Sequence, residues 1–531
     1  MARFYIENFG CRATQADGAA LERQFLERGL ERAGSAGDAE IVVLNTCTVT
    51  EGADKDARAS IRRLQRVNPA SRILVTGCYA QRAPQELAAL PGVTWVVGNS
   101  HKHRAAEIAT SPSFVSPSSF SDFVPLAQLS RSFAGNVVVG DIFAHTELLA
   151  APVFEAANQR TRPNLKVQDG CDNRCSFCVI PYVRGQSRSL PSERVVAEVR
   201  TLVEAGYREV VISGINLGRW GRDLSVDGRR SLVVSEPNNV GLDVRPDEDS
   251  REAILEGVAV CERPTTNDQR LVRERPTTND QRLVHTRPTT NDQRPVRERL
   301  TTNDQRLVHL IRAILDETSL EKLRISSVEP MDWSEELIGL VASSERIANH
   351  AHVPMQSGSD AVLRRMHRKY RPWHYREKIL KIRAAMPTAA IGADVMVGFP
   401  GETEAEFHET RRMIEELPFT YLHVFNYSAR PGTPAAELPR QVPPVVARER
   451  NRVLRELAAA KKAAFMRSLV GTTVEAITLH SRGAQFTEAL TENYLKIKIN
   501  GHHEANRWME VSVVGVDGEM LLGKFCNCVI L

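Results

Sequence analysis

The sequence predicts an α/β protein in three parts: an amino-terminal parallel α/β domain, a central partial barrel of six βα units, and a small antiparallel β-barrel at the carboxyl end. Short apolar runs alternate with longer amphipathic segments through residue 105 and again from residue 164, as strands do when helices connect them. From residue 469 onward, apolar and polar residues alternate between glycines, which is typical of short antiparallel strands. The length of 531 residues is also that of about three domains.

The composition is that of an ordinary globular protein, with 42% hydrophobic and 25% charged residues. No apolar run reaches the ~18 residues that a membrane span needs, and the first residues lack the basic-then-apolar layout of a signal peptide. We therefore expect a cytoplasmic protein without a membrane partner. The 69 Lys and Arg residues barely exceed the 65 Asp and Glu residues, and a net charge of +4 does not by itself indicate a nucleic-acid partner.

The first domain, residues 1–110, is predicted to be a Rossmann-like parallel sheet covered by helices. Cys11, Cys47 and Cys78 each follow an apolar run that is predicted to be a strand. Because the carboxyl ends of parallel strands meet along one edge of a sheet, we expect these three thiols to gather there. The predicted elements are strands from Phe4 to Asn8, Ile41 to Leu44, Ile73 to Thr76 and Trp95 to Val97, and helices from Gln15 to Arg32 and Lys55 to Val67.

The central domain, residues 161–440, follows a predicted linker at residues 111–160 that begins with a segment rich in Ser and Pro. Six predicted strands separated by helices indicate an open barrel with right-handed crossovers, smaller than the eight-unit form. The strands are Leu165 to Gln168, Val210 to Ser213, Leu323 to Ser327, Ala351 to Pro354, Ile391 to Val397 and Tyr421 to Phe425, and the helices between them include Glu193 to Glu204, Asp360 to His367 and Glu404 to Glu416.

A 12-residue unit built on Thr-Thr-Asn-Asp-Gln-Arg occurs four times between Glu262 and His309. Each copy carries only about two large apolar residues, and its period is shorter than the ~20–50 residues of solenoid repeats. We interpret the segment at about 227–306, which contains Cys261, as a disordered insertion in a surface loop of the barrel. The alternative is a basic arm, since the four copies hold ten Arg against seven acidic residues.

A charged connecting helix is predicted at residues 441–468, and residues 469–531 are predicted to form a barrel of about five strands. Small barrels of this kind often carry oligonucleotides. This one has five Lys and Arg residues against seven acidic residues, so its electrostatics do not predict RNA binding. We interpret Cys526 and Cys528 as strand or tail residues rather than as a metal site.

The strongest chemical signal is a loop in which Cys171, Cys175 and Cys178 place three thiols within eight residues. Nine cysteines in a long chain, an odd number, favour metal or redox chemistry over a disulfide framework. Structural zinc is one alternative, but a closed tetrahedral site takes four ligands and the loop offers three. Three thiolates on a 4Fe–4S cluster would leave one iron open to an amine and a carboxylate. Arg184 and Arg188 flank the loop, and they either hold a carboxylate or phosphate or are solvated surface residues.

This loop resembles the signature of the radical S-adenosylmethionine (SAM) superfamily, which has the same spacing and an aromatic residue before the last cysteine, here Phe177. The resemblance implies that Cys171, Cys175 and Cys178 bind a 4Fe–4S cluster. It also implies that SAM occupies the open iron, where one electron cleaves it to methionine and a 5′-deoxyadenosyl radical. The loop follows the first strand of the predicted barrel, as the superfamily leads us to expect.

Further motifs resemble the methylthiotransferase family and cover nearly the whole chain outside the insertion. They are Asn45-Thr-Cys-Thr-Val-Thr, Thr76-Gly-Cys-Tyr-Ala-Gln, the segment from Gly170 to Ser189, Ser327-Val-Glu-Pro, Val353-Pro-Met-Gln-Ser-Gly-Ser, Gly398-Phe-Pro-Gly-Glu-Thr and Arg430-Pro-Gly-Thr-Pro-Ala. The resemblance implies that Cys11, Cys47 and Cys78 bind a second, auxiliary 4Fe–4S cluster, and that the last domain is a TRAM barrel that binds RNA. Without the family resemblance, three cysteines so far apart in sequence would more often serve as small apolar residues of the core.

Within this family, the sequence looks like the type that acts on threonylcarbamoyl adenosine next to the tRNA anticodon. Glu-Gly-Ala-Asp-Lys follows the Cys47 motif, and Val167-Gln-Asp-Gly precedes Cys171. The implied reaction uses one SAM to methylate a sulfur at the auxiliary cluster and a second SAM to make the radical, so that CH3S is joined to carbon 2 of the adenine. The implied partners are the tRNA anticodon loop and an electron donor such as flavodoxin or ferredoxin. Thr14 is a departure, because many relatives have Asn at that position.

Other functions stay open on the sequence. Two of them are further substrates of the same family, namely isopentenyl-type adenosine in tRNA and an aspartate of a ribosomal protein. A third is a non-catalytic iron–sulfur protein that binds RNA, with the insertion obstructing the barrel. The presence of all six motif cysteines favours the enzyme.

Four residues at the predicted mouth of the barrel are candidates for contacts with SAM. Gly398 and Gly401 lie in a turn between a strand and a helix, where backbone amides could approach the adenosine part of SAM, although a tight turn without a ligand fits equally well. Ser327 and Glu329 stand at the end of a predicted barrel strand, and we expect them to contact the ribose or the amino-acid part of SAM.

Overall fold

The computed structural model describes residues 2–111, 136–144, 148, 162–224, 305–480 and 485–525. Most of the predicted linker, the predicted insertion up to residue 304 with Cys261, and the terminal Cys526 and Cys528 lie outside these residues. Within the described ranges, no helix has both the length and the apolar character needed to cross a membrane.

The amino-terminal domain is a six-stranded parallel sheet with helices on both faces, as the sequence predicts. Its elements are β1 (Arg3–Asn8), α1 (Arg12–Glu27), β2 (Glu31–Arg32), β3 (Ile41–Thr46), α2 (Glu51–Val67), β4 (Arg72–Gly77), α3 (Cys78–Arg82), α4 (Pro84–Ala88), β5 (Val93–Gly98), α5 (Ala105–Thr110) and β6 (Val137–Val138). The strands lie in the order β2-β1-β3-β4-β5-β6. β6 comes from within the segment predicted as a linker, and it extends the sheet by pairing with β5.

Two apolar layers hold this sheet between its helices. Phe25 of α1 and Ile108 of α5 are buried against one face, and Ile61 of α2 and Leu87 of α4 are buried against the other. All six residues of β3 are buried, as expected for a strand covered on both sides. The first helix begins and ends earlier than predicted. Its early end has a local cause, because Gly29 has a φ of +76° and turns the chain just beyond the helix.

The central domain contains six parallel strands, as predicted, in two sheets. Its elements are β7 (Asn164–Asp169), α6 (Ile180–Arg184), β8 (Arg188–Ser189), α7 (Ser192–Glu204), β9 (Glu209–Gly214), α8 (Arg306–Glu317), β10 (Lys322–Ile325), α9 (Glu335–Ser343), β11 (His350–His352), α10 (Asp360–Arg365), α11 (Pro372–Ala385), β12 (Ala390–Val397), α12 (Glu404–Glu416) and β13 (Tyr421–Asn426). The sheet orders are β10-β9-β7-β8 and β11-β12-β13, where β8 is a short antiparallel strand. Among the described strands, β7 and β13 do not pair with each other, so the barrel is open between them.

The helix α12 shows why some boundaries follow directly from the sequence. It begins after Thr403, whose hydroxyl accepts a hydrogen bond from the Glu406 amide at 3.3 Å. The Glu406 carboxylate in turn accepts one from the Thr403 amide at 2.8 Å. This reciprocal capping box satisfies two amide groups at the start of the helix. The helix therefore has the bounds that the sequence predicts.

The carboxyl-terminal part consists of one long helix and a closed five-stranded barrel, which confirms the prediction of a small barrel. Its elements are α13 (Pro444–Ser468), β14 (Thr473–Thr478), β15 (Phe486–Thr491), β16 (Lys496–Asn500), β17 (Trp508–Asp517) and β18 (Met520–Phe525). The strand order is β14-β15-β16-β18-β17. All pairs are antiparallel except β16 with β18, which is parallel, so the predicted all-antiparallel pattern is corrected at this pair.

We expect Gly170→Ala to lower the melting temperature by several degrees more than Gly206→Ala. Both glycines have a positive φ, +70° and +91°, so alanine is strained by about 1–2 kcal/mol at either position. At Gly170 a Cβ atom would also lie 1.9 Å from the carbonyl oxygen of Gln186, whereas at Gly206 nothing lies within 4 Å. Thermal unfolding of the two variants measures the difference, and equal melting temperatures would contradict the close approach at Gly170.

Candidate functional site

The cysteines of the amino-terminal domain lie at the carboxyl edge of three neighbouring strands. Cys11 precedes α1 after β1, Cys47 follows β3, and Cys78 begins α3 after β4. Since β1, β3 and β4 are adjacent and parallel, the expectation that the three loops share one edge is confirmed. A Cβ atom on Gly10, which has a φ of +95°, would lie 2.8 Å from the sulfur of Cys47. A glycine there lets the Cys11 loop approach Cys47 closely.

These three thiols interact with one another. Cys47 is 5% and Cys78 is 2% exposed, whereas Cys11 is exposed. Burial, and then the neighbouring Cys78 and Cys11, raise the pKa of Cys47 to about 12. Without a metal, the Cys47 thiol is therefore protonated at neutral pH, and a metal must displace its proton. The Thr14 hydroxyl, at the position that departs from the family, lies 3.5 Å from the sulfur of Cys11.

The second group of cysteines occupies the loop after β7, the first barrel strand. The amide of Asn173 and the side-chain amide of Asn216 donate to the sulfur of Cys171 at 3.4 and 3.7 Å. Burial, and then the neighbouring Cys175, raise the pKa of Cys178 to about 12. These thiols also form an interacting group that a metal would have to deprotonate.

The two groups of cysteines are neighbours across the boundary between the domains. Cys78 packs in an apolar cluster with Val179, Ile180 and Val183, and Cys171 and Cys178 pack against the same cluster. The side-chain amide of Asn99 lies 3.5 Å from the sulfur of Cys78 and donates to the Val183 carbonyl at 2.7 Å. The structure therefore brings together the six cysteines that the sequence predicts as metal ligands.

Neither group has the spacing of a site for one ion. In tetrahedral zinc with Zn–S bonds of ~2.3 Å, two sulfurs lie about 3.8 Å apart. Within the described part of the chain, neither group brings its three sulfurs within 4.8 Å of one another. Three thiols around a wider gap fit a larger body such as a 4Fe–4S cluster, which takes cysteine thiolates as ligands.

A buried ionic group connects the two domains beside the cysteines. Asp17 of α1 accepts hydrogen bonds from Lys102 and Arg184, each at 2.9 Å, and from Lys166 of β7. Asp169 accepts from Lys166 at 2.7 Å and from Arg184 at 3.0 Å. All five side chains are at least nine-tenths buried. The three cations outnumber the two carboxylates, and this excess positive charge favours thiolates nearby.

The ionic group changes the interpretation of Arg184 and Arg188, which the sequence predicts either as anion ligands or as solvated surface residues. Arg184 is 2% exposed and binds Asp17 and Asp169 instead. Arg188 is 8% exposed, and its guanidinium lies 4.0 Å from Asp169. Arg184 therefore belongs to the contact between the domains, whereas Arg188 lies beside Asp169 within the central domain.

Three of the residues predicted to contact SAM, Glu329, Ser327 and Phe177, have different partners in the structure. Glu329 forms an ion pair with Arg368, which also donates to the sulfur of Cys175 at 3.2 Å. Ser327 is hydrogen-bonded to His352 at 2.8 Å, and the ring of Phe177 lies edge-on to Phe399 with centroids 6.5 Å apart. Glu329 is therefore connected to the second cysteine group through Arg368, whereas Ser327 contacts the polar side chain of His352.

The two predicted glycines have contacts that account for them without a ligand. A Cβ atom on Gly398 would lie 2.6 Å from the Cβ of Ala447 in α13, and its amide donates to Glu402 at 2.7 Å. The amide of Gly401 donates to the Arg440 carbonyl at 2.8 Å. A contact of either glycine with SAM stays a prediction.

A polar group inside the barrel was missed from the sequence. His352, Asp394 and His423 lie on β11, β12 and β13, and their ligand atoms are within 4.8 Å of one another. The Nε2 atom of His352 is buried without a hydrogen bond, 3.5 Å from Asp394. The signal was present as His at alternate positions of a strand, 350 and 352, because alternate residues share a face.

The family comparisons agree with this division of the chain. Residues 3–98 match the Uncharacterized protein family UPF0004, and residues 165–217 and 282–414 match the Radical SAM superfamily. The threonylcarbamoyladenosine tRNA methylthiotransferase MtaB of Aquifex aeolicus (strain VF5) is 31% identical over 96% of this chain and 99% of its own length. The chain belongs to the radical SAM methylthiotransferase family.

Two further methylthiotransferases are similar to this chain over most of its length. MtaB of Bacillus subtilis (strain 168) is 32% identical over 94% of this chain and 91% of its own length. The tRNA-2-methylthio-N(6)-dimethylallyladenosine synthase of Erythrobacter litoralis (strain HTCC2594) is 30% identical over 89% of this chain and 86% of its own length. Membership of the radical SAM superfamily implies SAM and one 4Fe–4S cluster.

We expect Asp17→Asn to lower the free energy of unfolding by about 3–5 kcal/mol at pH 7, because three buried cations would share one carboxylate. Burial alone would raise the pKa of Asp17, but Arg184, Lys102 and Lys166 hold it well below its ordinary value. The stabilisation is therefore present above the ordinary pKa of about 4 and is lost as the pH falls below it.

Urea unfolding of both proteins between pH 7 and pH 3 measures this effect. The difference between wild type and Asp17→Asn should narrow toward acid pH, and Asp38→Asn, which changes an exposed carboxylate, should leave the unfolding free energy nearly unchanged. A difference that is absent at pH 7 or widens toward pH 3 would show that Asp17 does not hold the domains together.

Proposed function

We propose that this protein transfers a methylthio group to carbon 2 of N6-threonylcarbamoyladenosine next to the anticodon of tRNA. The observation that carries the proposal is the meeting of two cysteine groups across one apolar cluster, in a chain whose relatives include enzymes with this activity in their names. One group alone would serve radical formation. The second, beside it, gives a place for the sulfur that is transferred.

In this proposal Cys171, Cys175 and Cys178 hold the SAM-binding 4Fe–4S cluster, and Cys11, Cys47 and Cys78 hold an auxiliary one. When bound, these clusters and SAM supply the one-electron and sulfur chemistry that breaks the C–H bond at carbon 2 and forms the C–S bond. The electrons come from a donor such as flavodoxin or ferredoxin. The C–H bond at carbon 2 is unactivated, so acid–base side chains cannot break it. The cofactors must therefore supply this chemistry.

The residues of the chain have positioning and shielding roles. Arg368 donates to Cys175 and pairs with Glu329, so it orients one ligand and one predicted SAM contact together. Val179, Ile180 and Val183 separate the two groups with apolar side chains, and Val183 is 1% exposed, which keeps water from the space between them. The substrate base must be unstacked to reach this place, and a single-stranded anticodon loop makes that easier than a duplex would.

The proposal is tested in cells that lack the gene, by mass spectrometry of the nucleosides in their tRNA and of the peptides of their ribosomal proteins. We expect the methylthio derivative of threonylcarbamoyladenosine to disappear while its precursor is retained. Loss of the methylthio derivative of dimethylallyladenosine, or a change confined to ribosomal peptides, would assign one of the other family substrates instead. Unchanged nucleosides and peptides would contradict the enzyme.

Variants of the two cysteine groups should separate two steps of the reaction. We expect Cys175→Ala to abolish SAM cleavage, because it removes a ligand of the proposed SAM-binding cluster. Cys47→Ala should spare SAM cleavage and stop methylthiolation, because it removes a ligand of the proposed auxiliary cluster. Cys261→Ala is the matched control, since that cysteine belongs to neither group, and it should retain both activities.

These activities are measured on anaerobically reconstituted protein, by release of 5′-deoxyadenosine and by nucleoside mass spectrometry. Methylthiolation by either the Cys175→Ala or the Cys47→Ala protein would show that the replaced cysteine is not a required cluster ligand.

A further inference from the structure

Arg12 stands at the junction of the auxiliary cysteine group and the barrel interior. It is the first residue of α1, directly after Cys11, and its carbonyl accepts a hydrogen bond from Asn164 at the start of β7 at 2.9 Å. Its guanidinium donates to the hydroxyl of Tyr494 at 3.1 Å and lies 5.8 Å from the centre of that ring. The side chain therefore extends from the edge of the cysteine site to Tyr494 of the carboxyl-terminal barrel, whose ring lies near Tyr421 of the central barrel.

The other cations in this region have carboxylate partners. Arg324 pairs with Glu209 at 2.6 Å, and Arg162 lies 3.7 Å from the same carboxylate. Arg368 pairs with Glu329. Among the residues that the structure describes, no carboxylate lies within 4.0 Å of the guanidinium of Arg12, which is partly buried. A partly buried cation without a counter-ion is costly, and an anionic ligand would remove that cost.

The interior beyond Tyr494 is lined by aromatic and polar side chains. Tyr421 lies 6.1 Å from Tyr494 and 5.3 Å from His423, between ring centres. Burial first, and then His352 and Arg12 despite the opposing effect of Asp394, lower the pKa of His423. The positive charge of Arg12 is therefore close enough to His423 to affect its protonation, and His423 belongs to the polar group that also contains His352 and Asp394.

The proposed substrate differs from other adenosines in that its N6 substituent ends in a carboxylate. A dimethylallyl substituent carries no charge, and neither does adenine itself. Carbon 2 and carbon 6 of adenine are both bonded to N1, so a base that presents carbon 2 to the cysteine groups keeps its N6 substituent close by. A guanidinium binds a carboxylate through two parallel N–H donors, which an uncharged substituent cannot accept in the same way.

The geometry points to Arg12 as the residue that binds the carboxylate of the threonylcarbamoyl group and so selects this substrate. Asp394, which is partly exposed, is placed to accept hydrogen bonds from the hydroxyl or N–H groups of the same substituent. This inference rests on the proposed function. It adds the specificity-determining contact, which the cysteine motifs do not supply.

The test compares the binding of two anticodon stem-loop RNAs to full-length, anaerobically reconstituted protein. One RNA carries N6-threonylcarbamoyladenosine and the other carries its uncharged methyl ester. We expect wild type to bind the acid about 10- to 100-fold more tightly than the ester, the range for a charged hydrogen-bonded contact. In Arg12→Gln this ratio should fall to about one, and Arg12→Lys should restore part of it, because it keeps the charge without the planar fork.

Arg162→Gln is the matched control. Arg162 lies 5.9 Å from the same Tyr494 ring but is already near a carboxylate, so its loss should leave the ratio of affinities unchanged. A general loss of RNA affinity would weaken binding of the acid RNA and the ester RNA equally, so it would not change the ratio of the two affinities. The iron content of each variant shows whether the neighbouring Cys11 loop is intact.

The outcomes separate the two proposals. Wild-type methylthiolation of the acid RNA, with an unchanged ratio in Arg12→Gln, would uphold the proposed function and overturn the role of Arg12. The role of Arg12 would also be overturned if the ratio of acid to ester affinity fell as far in Arg162→Gln as in Arg12→Gln. A wild-type protein that neither distinguishes the two RNAs nor methylthiolates the acid would overturn both proposals.

Discussion

The docking of the amino-terminal domain on the central barrel depends on the buried ionic group around Asp17. The amino-terminal domain contributes Asp17 and Lys102, and the barrel contributes Lys166, Asp169 and Arg184. A buried charge is tolerated only when it is paired. Each domain supplies some of these pairs internally, but the bonds of Asp17 to Lys166 and Arg184 form only in the docked arrangement. Because Cys78 meets Cys171 and Cys178 across this same boundary, the proposed chemistry requires that docking.

The site combines two environments that serve different purposes. Between the cysteine groups the side chains are apolar, which strengthens electrostatic effects and excludes water from reactive species. Inside the barrel the lining is polar, with His352, Asp394 and His423 on three successive strands and Tyr494 entering from the small carboxyl-terminal barrel. An adenosine that spans both environments would expose one carbon to the chemistry while its substituent is held by hydrogen bonds.

The sequence predicts the local parts of this structure well. The barrel strands have strong apolar runs, and α12 carries its own capping residues, so both are found where expected. β6 was missed because a strand of two residues, Val137–Val138, has no periodicity to detect. Cysteine spacing and family motifs led to all six thiols, since those signals are local.

The remaining parts of the site depend on residues that are far apart in the chain. Asp17 and Lys166 are 149 positions apart, so no local pattern in the sequence indicates that they form a buried ion pair. Arg184 illustrates the difficulty, because an arginine beside a cysteine loop suggests a ligand contact until its two carboxylate partners are known. Such pairings follow from tertiary packing, which a single sequence does not display.

The central claim, that two cysteine groups each hold an iron–sulfur cluster, is tested most directly by metal analysis after anaerobic reconstitution. The account predicts about eight irons per chain, since each 4Fe–4S cluster carries four. It predicts about four in a protein with Cys11, Cys47 and Cys78 replaced by alanine, and again about four when Cys171, Cys175 and Cys178 are replaced. A wild-type protein that holds about four irons, or zinc in their place, would contradict it.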